Sequence, residues 1–263
     1  LVEQAGSGRG ARLALTYLGA MPDDYRARTS AGESARDIVR LSALENEQDR
    51  EVRLISCDTE GDLRLKIYRR GGFVSLSEAV PVLENFGFQV LEEVPTRLGD
   101  SGLGHIHDFD VDLPAGTDCS VAIDRNDTIE SAIACVLRGE AENDDFNRLI
   151  LSAGLTPQAV VWLRACFRYL RQTGVNYGLA TVVDALARAP AATGAIVDLF
   201  TALHDPQLKG DRNAEVRRAQ ERFEDALRQV GGIDDDRILR LMRAVVDATI
   251  RTNAFAPAGK VAL

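Results

Sequence analysis

The chain has 263 residues, 45% of them hydrophobic and 27% charged, a composition that sustains one large or two modest packed domains and excludes a disordered chain. A formal net charge of −9 and a pI of about 5.0 exclude a broadly basic surface for nucleic acid or anionic membrane, because phosphate recognition needs clustered positive charge. There is no run of roughly 18 apolar residues and no basic-then-apolar leader, so the sequence reads as cytoplasmic, with neither membrane nor nucleic acid as a partner.

Residues 1–48 read as two helices. The stretch Gly6-Ser7-Gly8-Arg9-Gly10 is taken as a flexible loop ahead of a helix from Ala11 to Leu18. No strand precedes it and no lysine follows in the spacing of a phosphate loop. Met21-Pro22-Asp23-Asp24 reads as a turn, and Ser34 to Leu44 places Ile38, Leu41 and Leu44 on one helical face that packs on a sheet or on later helices.

The centre of the chain changes period. Glu51 to Cys57 reads as a strand, joined through the turn-rich Asp58-Thr59-Glu60-Gly61-Asp62 to an antiparallel partner, Leu63 to Tyr68. In that second strand Leu63, Leu65 and Ile67 share one face, and Arg64 and Lys66 the other. Gly71-Gly72 breaks it. Ser75 followed by Glu78 has the spacing of a capping box, opening a helix in which Leu76, Ala79, Val80, Leu83 and Phe86 face the sheet, Pro81 introduces a kink and Gly87 ends it. A strand from Phe88 to Val94 follows, then one from His105 to Leu113. His105, His107, Phe109, Val111 and Leu113 lie on its core face, and Ile106, Asp108, Asp110 and Asp112 on a face largely in water. A second capping pattern ending at Glu130 opens a helix with the stripe Ile129, Ala132, Ile133, Val136 and Leu137. These pieces make a small α+β sandwich with helices on one face of the sheet.

From Asp145 onward the chain reads as helix alone. Phe146, Leu149 and Ile150 form a short stripe ending near Gly154, and Thr156-Pro157 is a strong helix start for Val160, Leu163, Phe167 and Leu170, ending near Gly174. Further helices are expected over 177–189, 195–203, 213–230 and 235–252, an irregular bundle punctuated by Pro190, Pro206 and Gly231-Gly232. The chain starts at Leu1 and stops at Leu263 without a cap or turn signal, which reads as a piece of something longer.

The residues offer little chemistry of their own. Cys57, Cys119, Cys135 and Cys166 are far apart and read as reduced thiols, the last two as small buried hydrophobes. His105 and His107 share a strand face, but no third ligand accompanies them, and they are read as structural or as contacts for an effector rather than as a metal site. Asp108, Asp110 and Asp112 lack the glycine of a calcium loop and read as a solvated strand face. No nucleophile elbow and no dinucleotide-binding glycine fingerprint is present, and Lys66, Lys209 and Lys260 are isolated.

Several segments taken together resemble the region ahead of the catalytic domain in the large bacterial NAD-specific glutamate dehydrogenases. They are Leu65-Lys66-Ile67-Tyr68-Arg69-Arg70, Leu76 to Gly87, His105-Ile106-His107-Asp108-Phe109, Gly139 to Leu149 and Arg164 to Thr173. The resemblance runs from about residue 11 to residue 255. It implies an ACT-like (ferredoxin-like) antiparallel sheet with helices followed by an irregular α-helical bundle. The segments would be an N-terminal helical part at 1–48, an ACT-like α+β domain at 49–141 and a helical domain at 142–263 leading toward a catalytic domain further along the same chain. The ACT core is a βαββαβ unit, of which five elements are visible and the sixth is not. The resemblance further implies a parent enzyme that uses NAD, while this stretch itself holds no cofactor, no metal and no catalytic residue. It also implies self-association through the ACT-like domain and an amino-acid effector near the first strand-to-helix loop. The candidates there are Arg69, Arg70, Gly71, Gly72 and Phe73, with His105 and His107 beside them. In that reading Arg69 or Arg70 pairs the effector carboxylate, and the two glycines let backbone donors approach it. The alternative is a purely structural oligomerisation module without ligand.

Overall fold

The structure, a computed structural model, describes residues 1–56, 63–99, 102–114, 117–256 and 260–263. Cys57 and the expected turn at 58–62 lie outside the described residues. Two compact units form, one of residues 1–84 with 88–143 and one of 85–87 with 144–263.

In the first unit four helices precede the sheet: α1 (Val2–Ala5), α2 (Ser7–Tyr17), α3 (Asp23–Arg28) and α4 (Ala31–Ala43). Two of them correct the sequence reading. The glycines at 8 and 10 lie within α2, and Asp23-Asp24 opens α3, where their charges meet the positive end of the helix. The cap of α4 is Ser30, whose Oγ accepts the Glu33 N–H at 3.2 Å, four residues ahead of the expected start at Ser34.

The sheet consists of β1 (Glu51–Ser56), β2 (Leu63–Arg69), β3 (Gln89–Leu98) and β4 (Gly104–Asp112), ordered β1-β2-β4-β3 and antiparallel at every junction. Between β2 and β3 runs α5 (Leu76–Asn85), with Pro81 inside it. Its Ala79 and Leu83 are buried as expected, but Leu76 is exposed and Val82 is buried in its stead. After β4 come α6 (Cys119–Asp124) and α7 (Asn126–Leu137). In a βαββαβ unit the last strand pairs with the first at the sheet edge. Here β1, arriving ahead of that unit, occupies this edge against β2, which accounts for the sixth element that the sequence downstream of α7 does not supply.

The sheet is covered on both faces, not one. Leu65 and Ile67 on one face of β2, and Lys66 and Tyr68 on the other, are all fully buried. The second face meets α2 to α4 through a core of Tyr17, Met21, Tyr25, Ile38, Leu41, Tyr68 and Ile106. The supposed water-facing side of β2 and β4 is therefore an interior, although Asp110 and Asp112 at its far end remain exposed.

The second unit is helical: α8 (Leu149–Ser152), α9 (Pro157–Gln172), α10 (Leu179–Arg188), α11 (Pro190–His204), α12 (Arg212–Leu227) and α13 (Ile233–Ala248). Thr156 Oγ1 accepts the Ala159 N–H at 3.2 Å with Pro157 in the first turn, as its sequence signals. Val160, Leu163, Phe167 and Leu170 are buried on α9. Pro190 starts α11 rather than separating two helices by a loop. Among the described residues no single helix is long and apolar enough to cross a membrane.

Candidate functional site

The turn between β2 and α5 brings three of the expected site residues together and sends a fourth away. Gly72 adopts φ +60°, a conformation open to glycine, and this reversal folds Phe73 back over β4. The Phe73 ring, 52% exposed, lies 4.2 Å from the His105 ring and 5.7 Å from that of His107. Arg69 donates from Nη1 to the Phe73 carbonyl at 2.9 Å and so ties the turn to the strand. Arg70 instead donates to the Leu44 carbonyl at 2.9 Å. Gly71 is needed for a packing reason: a Cβ there would stand 2.7 Å from Glu47 Cγ. The space above that glycine belongs to Glu47.

His107 is fixed by two hydrogen bonds. The Val74 N–H donates to its Nε2 at 3.0 Å, so that nitrogen is an acceptor and the ring proton sits on Nδ1, which donates to Glu93 Oε1 at 2.7 Å. His107 thereby clips the start of α5 to β4 and β3. His105 differs: its side chain is buried and its Nδ1 has no partner. Burial first, then His107, Arg97 and Arg69, hold its pKa below the ordinary histidine value.

A second constellation was not anticipated. Asp37 of α4 is fully buried, and its carboxylate accepts from Tyr25 at 2.6 Å, Lys66 at 2.6 Å, Tyr68 at 2.7 Å and Arg53 at 3.2 Å. Lys66 Nζ also lies 2.5 Å from Glu33, and Arg64 bridges Glu33 and Asp108. Asp37, Glu33 and Asp108 thus oppose Arg53, Arg64 and Lys66, three acids against three bases. Burial alone raises the Glu33 carboxyl, but Lys66, Arg64 and Arg53 together bring it below its ordinary value. Burial and then Asp37 push the Tyr25 and Tyr68 hydroxyls well up, so both remain donors. Lys66 and Asp108 are accordingly members of this network, not an isolated lysine and a solvated carboxylate. The sequence held a clue in Tyr68 and Ile106, large apolar groups on the face assigned to water.

Glu130, expected to close a capping box, does something else. Its Oε1 accepts the Leu54 N–H of β1 at 2.8 Å, while Oε2 pairs with Arg40 at 2.9 Å. Arg40 in turn donates to the Val52 carbonyl at 3.0 Å. Two side chains therefore satisfy backbone groups of β1. The N-cap position of α7 is Arg125, and no side chain caps the helix start there.

Among the described residues no group of three His, Cys, Asp or Glu is placed to hold a metal ion. Among the described residues the sheet is antiparallel throughout, without the parallel strand, glycine-rich turn and helix that cradle a dinucleotide pyrophosphate. Burial pushes the Cys166 thiol up to about 12, which leaves it inert, and burial raises Cys135 as well.

A four-stranded antiparallel sheet with α5 between its strands, and with its open edge filled by β1, defines an ACT-type α+β domain followed in sequence by a helical bundle. Comparison with known proteins agrees segment by segment. Residues 1–44 match the glutamate dehydrogenase helical motif 2, residues 51–125 the glutamate dehydrogenase ACT3 domain, and residues 141–206 the glutamate dehydrogenase helical motif 3. The chain belongs to the glutamate dehydrogenase family, in the part that carries these three motifs. It is 30% identical over 266 residues to the NAD-specific glutamate dehydrogenase of Pseudomonas aeruginosa, covering 98% of this chain and 16% of that protein. The enzyme of the same name from Halomonas elongata is 31% identical over 240 residues, and that from Mycobacterium tuberculosis 32% over 251, covering 90% and 92% of this chain and 15% of each relative. The chain thus spans about a sixth of the length of these relatives.

Proposed function

We propose that this chain is a regulatory and scaffolding part of a cytoplasmic NAD-dependent glutamate dehydrogenase, whose parent reaction converts L-glutamate, NAD and water to 2-oxoglutarate, ammonium and NADH. The observation that carries this reading is the succession of three family motifs along one chain, with relatives of that name matching 90% or more of it. In this reading 1–48, 49–141 and 142–263 act as successive helical, ACT-like and helical segments, the active site lies elsewhere in the parent, and the ACT-like segment supports self-association. The buried ion network and the edge bonds of Glu130 and Arg40 suit a rigid scaffold. Glutamate-dependent NAD reduction tests the reading: activity is expected from a longer chain carrying the remaining length of the relatives and not from these 263 residues alone. Activity in the short chain, or in neither, overturns it.

A second reading adds an amino-acid effector at Arg69 to Phe73, with His105 and His107. It is favoured by the half-exposed Phe73 ring standing over a histidine whose Nδ1 has no partner. Calorimetric titration with a panel of amino acids is expected to give saturable heat, and its absence for every one removes the effector.

A further inference from the structure

The register of the sheet places four nitrogen-rich side chains in one line. His105 of β4 lies opposite Arg69 of β2 on one side and Arg97 of β3 on the other. On β1, Val52 faces Ile67 and Leu54 faces Leu65, so Arg50, one step before the strand, falls opposite Arg69 on the same face. The row Arg50, Arg69, His105, Arg97 therefore runs across the whole sheet at the end where α5 begins.

Three nitrogens in this row lack partners: Arg50 Nε, Arg69 Nε and His105 Nδ1 are all buried and unbonded. Arg50 and His105 are each only 6% exposed, so bulk water does not satisfy them. An orphaned buried donor costs about 1–3 kcal/mol and persists in a native structure for a reason. Among the described residues, moreover, Arg50, Arg69 and Arg97 make no ion pair. Glu93, on the same face, is engaged by His107. Burial and then the Arg69 charge hold the Arg50 guanidinium below its ordinary value, and the charges of Glu78 and Asp49 reach it without an ion pair. Elsewhere in this unit buried cations are matched by carboxylates, as at Lys66 and Arg53. Here three guanidiniums stand against two carboxylates, Glu78 and Asp49, neither ion-paired with them, and Phe73 covers the histidine like a hydrophobic flap.

We propose that Arg50, Arg69, His105 and Arg97 form a binding row for a small dianion, a dicarboxylate or a phosphate, seated beside Phe73 at the end of the sheet. The charge sets the class. Three guanidiniums outnumber Glu78 and Asp49, and the Asp49 carboxylate is already engaged by the Glu45 and Asn46 N–H groups, so the row favours a ligand with two negative charges, whereas the ammonium of a zwitterionic amino acid meets only like charge along the row. Planar guanidinium donors suit carboxylate or phosphate oxygens. The proposal deepens the effector reading and rests on it for the existence of a ligand, but it moves recognition from the glycine backbone and Arg70 to the side chains of the row.

The test titrates the full chain at low ionic strength with succinate, inorganic phosphate and glycine in turn, following side-chain Nε–H and imidazole resonances by NMR and the heat by calorimetry. Succinate or phosphate is expected to shift the Arg50, Arg69 and His105 signals, and whichever binds more tightly names the source of the dianion. Arg97→Gln, an exposed change that leaves the core intact, is expected to weaken binding by roughly tenfold, as suits loss of one charge-assisted contact. Dianion binding without response to glycine supports the row. Glycine binding with the row signals unmoved keeps the effector and overturns the row. No response to any of the three, or equal affinity in Arg97→Gln, overturns the row as well.

Discussion

Lys66 Nζ lies 2.6 Å from Asp37 Oδ2, and neither side chain exposes any surface. The pair joins β2 to α4, but its two members are not equivalent. Asp37 is the hub, accepting from four donors, whereas Lys66 is one of those donors. Asp37→Ala leaves Arg53 and two hydroxyls without this acceptor and Lys66 with Glu33 as its remaining close partner, in a buried site, and removal of one partner from such a pair costs about 3–5 kcal/mol. Lys66→Met leaves Asp37 still bonded to Arg53, Tyr25 and Tyr68, and is expected to cost less, about 1–3 kcal/mol. The double variant should lose less than the sum. Urea unfolding of the three variants checks the order, and a costlier Lys66→Met than Asp37→Ala refutes the hub.

The elements that declared themselves in the sequence were those whose local pattern agreed with their surroundings. Alternation in β2 and β4, Pro81 within α5, and Thr156-Pro157 ahead of α9 all carried their own signal. The network around Asp37 did not, because a charged residue on an alternating strand is ordinarily a solvated one. Arg64, Lys66 and Asp108 become interior only when α4 supplies Glu33 and Asp37, a pairing across about 30 residues of sequence that no local period encodes. The candidate site was half legible for the same reason. Phe73, His105 and His107 were named from the turn and the strand, but Arg50 and Arg97 join them only through the register of β1 and β3. The strand read to Val94 runs on through Pro95 to Leu98, and Pro95 is tolerated there because β3 is an edge strand.

Glu130 and Arg40 act on β1 as a substitute strand. Glu130→Ala removes the acceptor of the Leu54 N–H and one of the two carboxylates paired with Arg40, which keeps Glu51, for an expected loss of about 1–3 kcal/mol. Glu130→Gln keeps an acceptor for Leu54 and gives up the ion pair, and should lose less. Hydrogen exchange localises the effect: the Leu54 amide is expected to exchange faster in Glu130→Ala, with amides of α9 unchanged. Unchanged protection at Leu54 would show that β1 holds its edge by other means.

Two glycines of the first unit should respond differently to alanine. At Gly104 φ is +140°, and a Cβ would meet Leu41 Cδ2 at 2.7 Å and the Arg69 carbonyl oxygen at 3.0 Å. Backbone strain and overpacking combine there, so Gly104→Ala is expected to cost about 2–4 kcal/mol. Gly72, at φ +60°, has open space around its Cβ position, and Gly72→Ala should cost only about 1–2 kcal/mol of conformational strain. Denaturation midpoints of the two variants give the comparison, and equal losses would assign the whole effect to backbone conformation.

Acid should destabilise the protein in two stages. His105 is held below its ordinary 6.5 by burial, then by His107, Arg97 and Arg69, and His204 by burial and then Arg212. Below pH 6.5 the unfolded chain takes up protons that these folded imidazoles refuse, so stability present above that pH is lost as pH falls through the folded values. Glu33, held below 4.5 by Lys66, Arg64 and Arg53 against its own burial, continues the loss at lower pH, where its carboxylate must be protonated inside the network. Glu130, raised above 4.5 by burial, has the opposite sign and softens the second stage without cancelling the first. Thermal midpoints measured from pH 8 down to pH 3 are expected to be level above 7, to fall first below 6.5 and again below 4.5. His105→Gln should shrink the first step and leave the second. A midpoint constant between pH 7 and pH 5 would mean that both imidazoles titrate as freely in the fold as outside it.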